Sequence, residues 1–242
     1  ATFGTGAMLD ICVGGRPGFT ARGPQGCYPV VAWTAAGAVT WGVEAIMLAA
    51  GSAVDWLVED LGLLASAAES EQLAASAPDT GGAAFVPALL GLGTPQWDFG
   101  ARGAFLGVSR GVGRAQLARA VLEGIAHSGA DLLEAAEVDS GSTPATLRVD
   151  GGMSANSVFV QCLADACARP IELSRELEAT TQGAGYLAGV GVGLWGGLEE
   201  LADAWSPRAV VEPSGGDPGR DRWRAALERA KQWYPELTAV RF

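Results

Sequence analysis

Lysine is almost missing from this chain. All but one of its 16 Lys and Arg residues are arginine, the exception being Lys231, and His127 is the only histidine. A Walker-type phosphate loop, a Schiff-base lysine, a histidine-rich metal centre and a Ser-His-Asp triad each need residues the sequence barely has. Cysteine is scarce too. Cys12, Cys27, Cys162 and Cys167 form no Cys-x-x-Cys pair, and the last two fall in an apolar helical pattern. They read as reduced structural residues of a cytoplasmic protein, not as a disulfide framework. No apolar run reaches the length of a membrane span, since Ala184 to Trp195 is short and glycine-rich. Positive charge is outweighed, 16 basic against 27 acidic residues for a net charge of −11. An acidic surface of that size argues against nucleic acid or an anionic membrane as the main partner.

What is present is a globular composition, 49% apolar over 242 residues, enough to bury a core in one large domain or two small ones. Phe3 to Val13 reads as a strand, Gly14 to Gly18 as a turn, and Val30–Trp33 and Val39–Val43 as further strands, together an antiparallel meander. From Glu44 the period becomes helical, through Ile46, Met47, Ala50, Val54, Leu57 and Leu61 to about Leu64. Ser66 to Ala77 is a second, more polar helix. Ala84–Leu90 and Ala104–Ser109 read as strands on either side of a loop containing Trp97 and Asp98. Arg114 to Glu137 is a long amphipathic helix. Strand, turn and helix then alternate through Leu147–Val149, Ser157–Ala168, Pro170–Ser174 and Thr181–Gly193. Leu198–Ala204 and Arg222–Trp233 are two more helices. A meander followed by alternating helices and strands predicts an α/β domain, a mixed sheet flanked by helices.

Thr146-Leu147-Arg148-Val149-Asp150-Gly151-Gly152-Met153-Ser154-Ala155-Asn156 stands out. A short strand breaks at Asp150-Gly151-Gly152 and enters a helix near Ser154, so backbone N–H groups and a helix dipole face one point. That suits a phosphate or a nucleotide; it suits a tight strand-to-helix turn equally well. Phe105 to Arg114 offers a second glycine-rich turn, Gly-x-x-x-Gly-x-Gly, similar to that of short-chain dehydrogenases. Their Tyr-x-x-x-Lys pair is missing, because Leu227 stands four places before the only lysine, and the turn follows a meander instead of opening a Rossmann fold.

Gly103-Ala104-Phe105-Leu106-Gly107-Val108, followed after seven residues by Gln116-Leu117-Ala118-Arg119-Ala120-Val121-Leu122-Glu123, resembles the carboxy-terminal signature of the FGGY carbohydrate kinases. Thr2-Phe3-Gly4-Thr5-Gly6 resembles their phosphate-binding hairpin. Phe85 to Ala88, Gly91 to Asp98, Ala101 to Gly103, Arg148 to Asn156 and Thr180 to Gly189 are similar to the glycerol kinases in particular. The resemblance runs to about Trp205. It implies the ATP-binding domain of an actin-like ATPase (ribonuclease H-like) fold over residues 1–205, with 206–242 a loop and helix packed on it. It also implies ATP and Mg2+ as cofactors, and a parent enzyme that converts glycerol to glycerol 3-phosphate, or acts on xylulose, ribulose or gluconate. A catalytically silent nucleotide-binding module of the same fold is the reading from another class.

Carried over by position, Gly4, Thr5 and Gly6 would meet the phosphates, and Gly51 and Asp55 would line the nucleotide cleft. Glycerol kinases commonly have Gln at the place of Asp55. Gly151 and Gly152 would approach the nucleotide with their backbone, Asn156 would reach the adenosine, and Met8 would touch the polyol carbon chain. The family's catalytic Asp, in a Gly-Asp-Gln segment before the hairpin, and its polyol-binding Arg, Glu and Tyr have no counterpart in this sequence. No catalytic residue and no metal ligand is therefore assigned. We expect a fragment, or one piece of a two-chain assembly, that is inactive alone, with adenine nucleotide as ligand and homo-oligomerisation left open.

Overall fold

Alternation of apolar and polar side chains builds the first sheet. The structure, a computed structural model, describes residues 1–35, 37–203 and 205–238. Strands β1 (Thr2–Phe3), β2 (Ala7–Gly14), β3 (Tyr28–Ala35) and β4 (Ala38–Met47) form an antiparallel sheet in the order β1-β2-β4-β3. On β2, Ala7, Leu9 and Ile11 point into the core while Met8, Asp10 and Cys12 face out, the period of two that a half-buried strand needs.

The helix expected from Glu44 is a correction. Residues 44–47 remain in β4, with Met47 opposite Ala7 and Glu44 opposite Asp10, and helix α1 (Gly51–Glu59) begins only after the strand ends. Ile46 and Met47 fit both a helical stripe and a strand, and pairing with β2 decides between them. Helix α1 also stops before Leu64. Gly62 turns the chain with φ +59, and the N–H groups of Leu63 and Leu64 return to the Leu57 carbonyl at 2.8 and 3.3 Å.

Helix α2 (Glu69–Ala75) is followed by a hairpin of β5 (Ala84–Val86) and β6 (Ala104–Leu106). Strand β5 is shorter than the expected 84–90, since Pro87 has no N–H to extend the ladder. The long helix α3 (Arg114–Ser140) ends at Gly141, whose left-handed φ of +68 is a common glycine stop. Strand β7 (Leu147–Val149) leads through a 3-10 turn (Gly152–Ala155) into helix α4 (Ser157–Cys167). Strand β8 (Ile171–Leu173) runs parallel to β7. After α5 (Ala179–Gly191) and α6 (Leu198–Asp203), strand β9 (Ala209–Val211) pairs antiparallel with β8; no strand was expected there. Helices α7 (Arg220–Ala230) and α8 (Pro235–Thr238) close the described chain.

Backbone bonds tie the first sheet to β7 at a seam. The Phe3 N–H donates to the Asp150 carbonyl and the Asp150 N–H to the Ala1 carbonyl, both at 3.0 Å, so β7 continues the first sheet beyond β1. Helix α3 lies at the centre, packed against β2, β4, β5, α2 and α4. Phe3, Leu9, Val43, Leu57, Phe85, Ile125, Phe159 and Leu163 are buried in one core with it.

A second, smaller core holds α7 against β5 through Trp223, Leu227, Val86 and Leu92. There the Trp223 ring stacks on His127 with centroids 5.6 Å apart. Burial, aided by the Arg220 guanidinium, pulls the His127 imidazole down to about 4. The unfolded chain therefore takes this proton first, near 6.5, and the folded chain only near 4, so stability falls as pH drops between the two values. Between pH 7 and pH 5 this group should cost roughly 2 kcal/mol. His127→Phe, which keeps the stack, should remove that acid loss when urea midpoints are compared at the two pH values.

Candidate functional site

Three elements converge on a cleft of about 460 Å³, within the range of small-molecule sites. Gly4 and Thr5 come from the hairpin between β1 and β2. Gly51, Val54 and Asp55 come from α1, and Gly152, Met153, Ala155 and Asn156 from the 3-10 turn and its exit. Of the residues singled out in the sequence, Gly4, Thr5, Gly51, Asp55, Gly152 and Asn156 thus line one cavity, although 152 residues of chain separate the first from the last. Gly6, Gly151 and Met8 do not line it.

The hairpin and α1 are fastened to each other. The Gly51 N–H donates to the Gly4 carbonyl (2.8 Å), and the Ala50 and Ser52 N–H groups donate to the Thr5 carbonyl (2.8 and 3.1 Å). These carbonyls cap the start of α1 as a side chain would. Gly51 is a glycine because a β-carbon there would lie 3.3 Å from the Gly4 carbonyl carbon and closer still to its oxygen. Gly6 is confined likewise, 2.7 Å from the Met47 carbonyl oxygen.

The Asp150-Gly151-Gly152 turn divides into two functions. Gly151 has φ +87 and ψ 166, and a β-carbon there would lie 2.7 Å from the Phe3 carbonyl carbon and 2.9 Å from its nitrogen. Its N–H donates to Leu177. Gly151 builds the seam. Gly152 is exposed, a β-carbon there would meet open space, and among the described residues no backbone bond takes its N–H or that of Thr5. Asp150 is buried, with one oxygen accepting from Thr2 Oγ1 (2.6 Å) and the other from the Ala179 N–H (3.1 Å). It is a turn-stabilising residue.

Helix α4 begins at Ser157, as the 157–168 helix pattern implies, and not at Ser154, where the turn motif alone would start it; its first amides do not face the cleft unpaired. Asn156 is its N-cap, with Oδ1 accepting from the Phe159 N–H at 3.0 Å, and Glu71 Oε1 accepts from the Ser157 N–H at 3.0 Å and from its hydroxyl. The cap signal was in the sequence, an Asn directly before Ser-Val-Phe.

The far wall was not foreseen. Ala67, Ala68, Ser70 and Glu71, at the start of α2, also line the cleft, and Asn156 Nδ2 ties them in by donating to Ser70 Oγ at 3.1 Å. No residue pattern in α2 announces this, since it arises from α2 packing on α4. Of the residues lining the cleft, only Asp55 and Glu71 carry charge, both negative. Among the described residues no cluster of three His, Cys, Asp or Glu side chains could hold a metal ion, and no helix is long and apolar enough to cross a membrane.

Met8 lies on the outer sheet face, opposite Ile46 and 44% exposed. Asp10 and Glu44 pair on the same face. Burial raises both carboxyls above their ordinary range, and the Asp10 charge adds to the rise of Glu44. Asp98 and Trp97 fix a loop: Trp97 Nε1 donates to the Gly26 carbonyl at 2.7 Å, and Asp98 accepts from the N–H groups of Gly100, Ala101 and Gln232. The glycine-rich turn after β6 leaves an antiparallel hairpin, not the parallel strand of a dinucleotide fold.

Residues 1–192 match the carboxy-terminal domain of the FGGY family of carbohydrate kinases. The glycerol kinase of Aromatoleum aromaticum is 41% identical over 236 residues, 96% of this chain and 47% of the relative. The crystal structure of Plasmodium falciparum glycerol kinase with ADP superposes with a TM-score of 0.83 at 29% identity, covering 100% of this chain and 47% of that one. A gluconate kinase from Lactobacillus acidophilus shares the fold, with a TM-score of 0.76 at 22% identity over 99% of this chain and 47% of its own. The chain spans about half the length of the relatives it matches, and its architecture is the mixed α/β, actin-like ATPase fold of these kinases.

Proposed function

Since the chain belongs to the FGGY family of carbohydrate kinases, we propose that it is the nucleotide-holding half of a phosphotransferase that uses Mg-ATP to phosphorylate a polyol, glycerol in first place. The observation that carries this reading is the cleft, which Thr5 and Gly152 line with N–H groups that no backbone bond takes among the described residues, and where a β-carbon on Gly152 would meet open space. Thr5 and Gly152 offer unpaired backbone donors to phosphate oxygens, and Gly4 lets the chain approach closely. Val54, Met153 and Ala155 supply an apolar wall for the base. Asn156 stands at that end, with its amide already shared between Phe159 and Ser70.

When bound, ATP supplies the phosphoryl group that is transferred. The cleft lining holds no cation and no carboxylate cluster, so Mg2+, which would offset charge on the phosphates, would be held there by the nucleotide rather than by side chains of the cleft. Met8, beside Asp10 on the outer face, would meet the acceptor there. The four cysteines are free, which fits a reducing, cytoplasmic setting.

Two results are expected. Gly152→Val should leave the melting temperature within about 2 °C, because the side chain enters open space, while calorimetry shows at least a tenfold weaker ADP affinity; unchanged affinity removes Gly152 from the site. In a phosphorylation screen with Mg-ATP, this chain alone should turn over none of glycerol, xylulose, ribulose and gluconate. A polypeptide that also carries the amino-terminal half of the relatives should favour glycerol. Turnover by the chain alone, or preference for a sugar, overturns the corresponding part of the reading.

A further inference from the structure

A nucleotide in this cleft would meet polar side chains that are mostly occupied. Asn156 accepts from the Phe159 N–H and donates to Ser70, and Ser70 donates to the Ala67 carbonyl. Glu71 holds Ser157. Asp55 and Thr5 differ: both line the cleft and neither side chain makes a hydrogen bond or ion pair among the described residues, and of the two only Asp55, which is exposed, carries a charge. It sits four residues beyond Gly51 on α1, one helical turn or about 6 Å from the point where α1 is fastened to the hairpin.

A carboxylate only accepts hydrogen bonds, so the parts of a nucleotide it can serve are few. It repels the polyphosphate. The base end of the cleft is walled by Val54, Ala67, Ala68, Met153 and Ala155, small apolar groups that fit a flat ring but read little of its edge. The ribose is what remains, a pair of adjacent hydroxyl donors matched to the two adjacent oxygens of one carboxylate, a bidentate arrangement. We propose that Asp55 is the residue that reads the sugar, accepting from both ribose hydroxyls, so that the site selects ribonucleotides over deoxyribonucleotides and discriminates weakly among bases. This rests on the nucleotide reading of the cleft.

The test is calorimetry of the wild-type chain and of Asp55→Ala and Asp55→Asn with ADP, 2′-deoxy-ADP, GDP and IDP. The wild type should bind ADP at least about tenfold more tightly than 2′-deoxy-ADP, the worth of one hydrogen bond to a charged acceptor, and bind ADP, GDP and IDP within about threefold of one another. Asp55→Ala should bind ADP and 2′-deoxy-ADP alike, more weakly than the wild type binds the deoxynucleotide, which keeps its 3′-hydroxyl contact, with Asp55→Asn in between. A ribose preference that survives in Asp55→Ala overturns the proposal. So does a preference for ADP over IDP that only Asp55 supports, since it would assign the carboxylate to the adenine amine, and so does equally tighter binding of both sugars in Asp55→Ala, which would make it a mere repulsive charge. If none of the four nucleotides binds the wild type, the nucleotide reading of the cleft falls, and this proposal falls with it.

Discussion

Gly151→Ala lowers the melting temperature by about 10 °C, whereas its neighbour Gly152 tolerates a larger side chain. Two independent penalties act at Gly151. Its φ of +87 with ψ of 166 is a region that side chains beyond glycine adopt only at a cost of about 1–3 kcal/mol. The added carbon also presses on the backbone of Phe3, which cannot swing aside because Phe3 is wholly buried and holds β1 to the Asp150 carbonyl; overpacking of that kind costs about 1–3 kcal/mol more. The sum, about 4 kcal/mol, converts to about 10 °C for a chain of this size. Differential scanning calorimetry of the two single variants measures the contrast directly, and equal melting temperatures would mean that the turn yields where the geometry says it cannot.

Arg220→Met is expected to loosen helix α7 by a similar amount. Arg220 reaches Asp131 at 2.6 Å and Glu134 at 2.8 Å, and donates to the His127 carbonyl at 2.8 Å. The Arg220 and Asp131 side chains are each only 12% exposed. Removing the cation leaves Asp131 with Trp223 Nε1 alone, at 3.0 Å, and an uncompensated buried charge costs about 3–5 kcal/mol. Burial already raises the Asp131 carboxyl above its ordinary value while Arg220 and the Trp223 hydrogen bond pull it back; in the variant only the Trp223 bond still opposes the rise. A group with a raised folded-state value contributes its stability below the unfolded value, 3.8, and loses it as pH climbs through the folded one. The deficit of the variant should therefore be small at pH 4 and full at pH 7. Adding Asp131→Asn should recover part of it at pH 7. A deficit independent of pH would show that lost packing, not the stranded charge, is responsible.

Much of the fold could be read from the chain because local and long-range preferences agree there. The alternation in Ala7 to Cys12 and the long apolar stripe of α3 each have one interpretation. Legibility failed where two interpretations fit. Glu44 to Met47 carries a helical spacing, yet a partner strand claims it, and no window of local sequence contains that partner. Strand β9 is three residues long, half on the surface, and exists because β8 has an open edge to fill. For the site, glycines and Asn156 were visible as a motif, but their individual reasons were not. Gly151, Gly6 and Gly51 are held by contacts with backbone far away in sequence, and Asn156 by a helix cap. The wall from α2 was invisible, since alanines acquire a function only from what is packed opposite them.

The seam between β1 and β7 has a consequence for when the cleft exists at all. Thr2 and Asp150, bonded across it, are 148 residues apart, so this closure carries one of the largest loop entropies in the chain and comes after the local elements on either side have formed. Gly4 and Thr5 stand on one bank of that closure and Gly152 on the other. A molecule bound between them acts as a staple that only the finished fold can accept, and its binding energy adds directly to the stability of that fold.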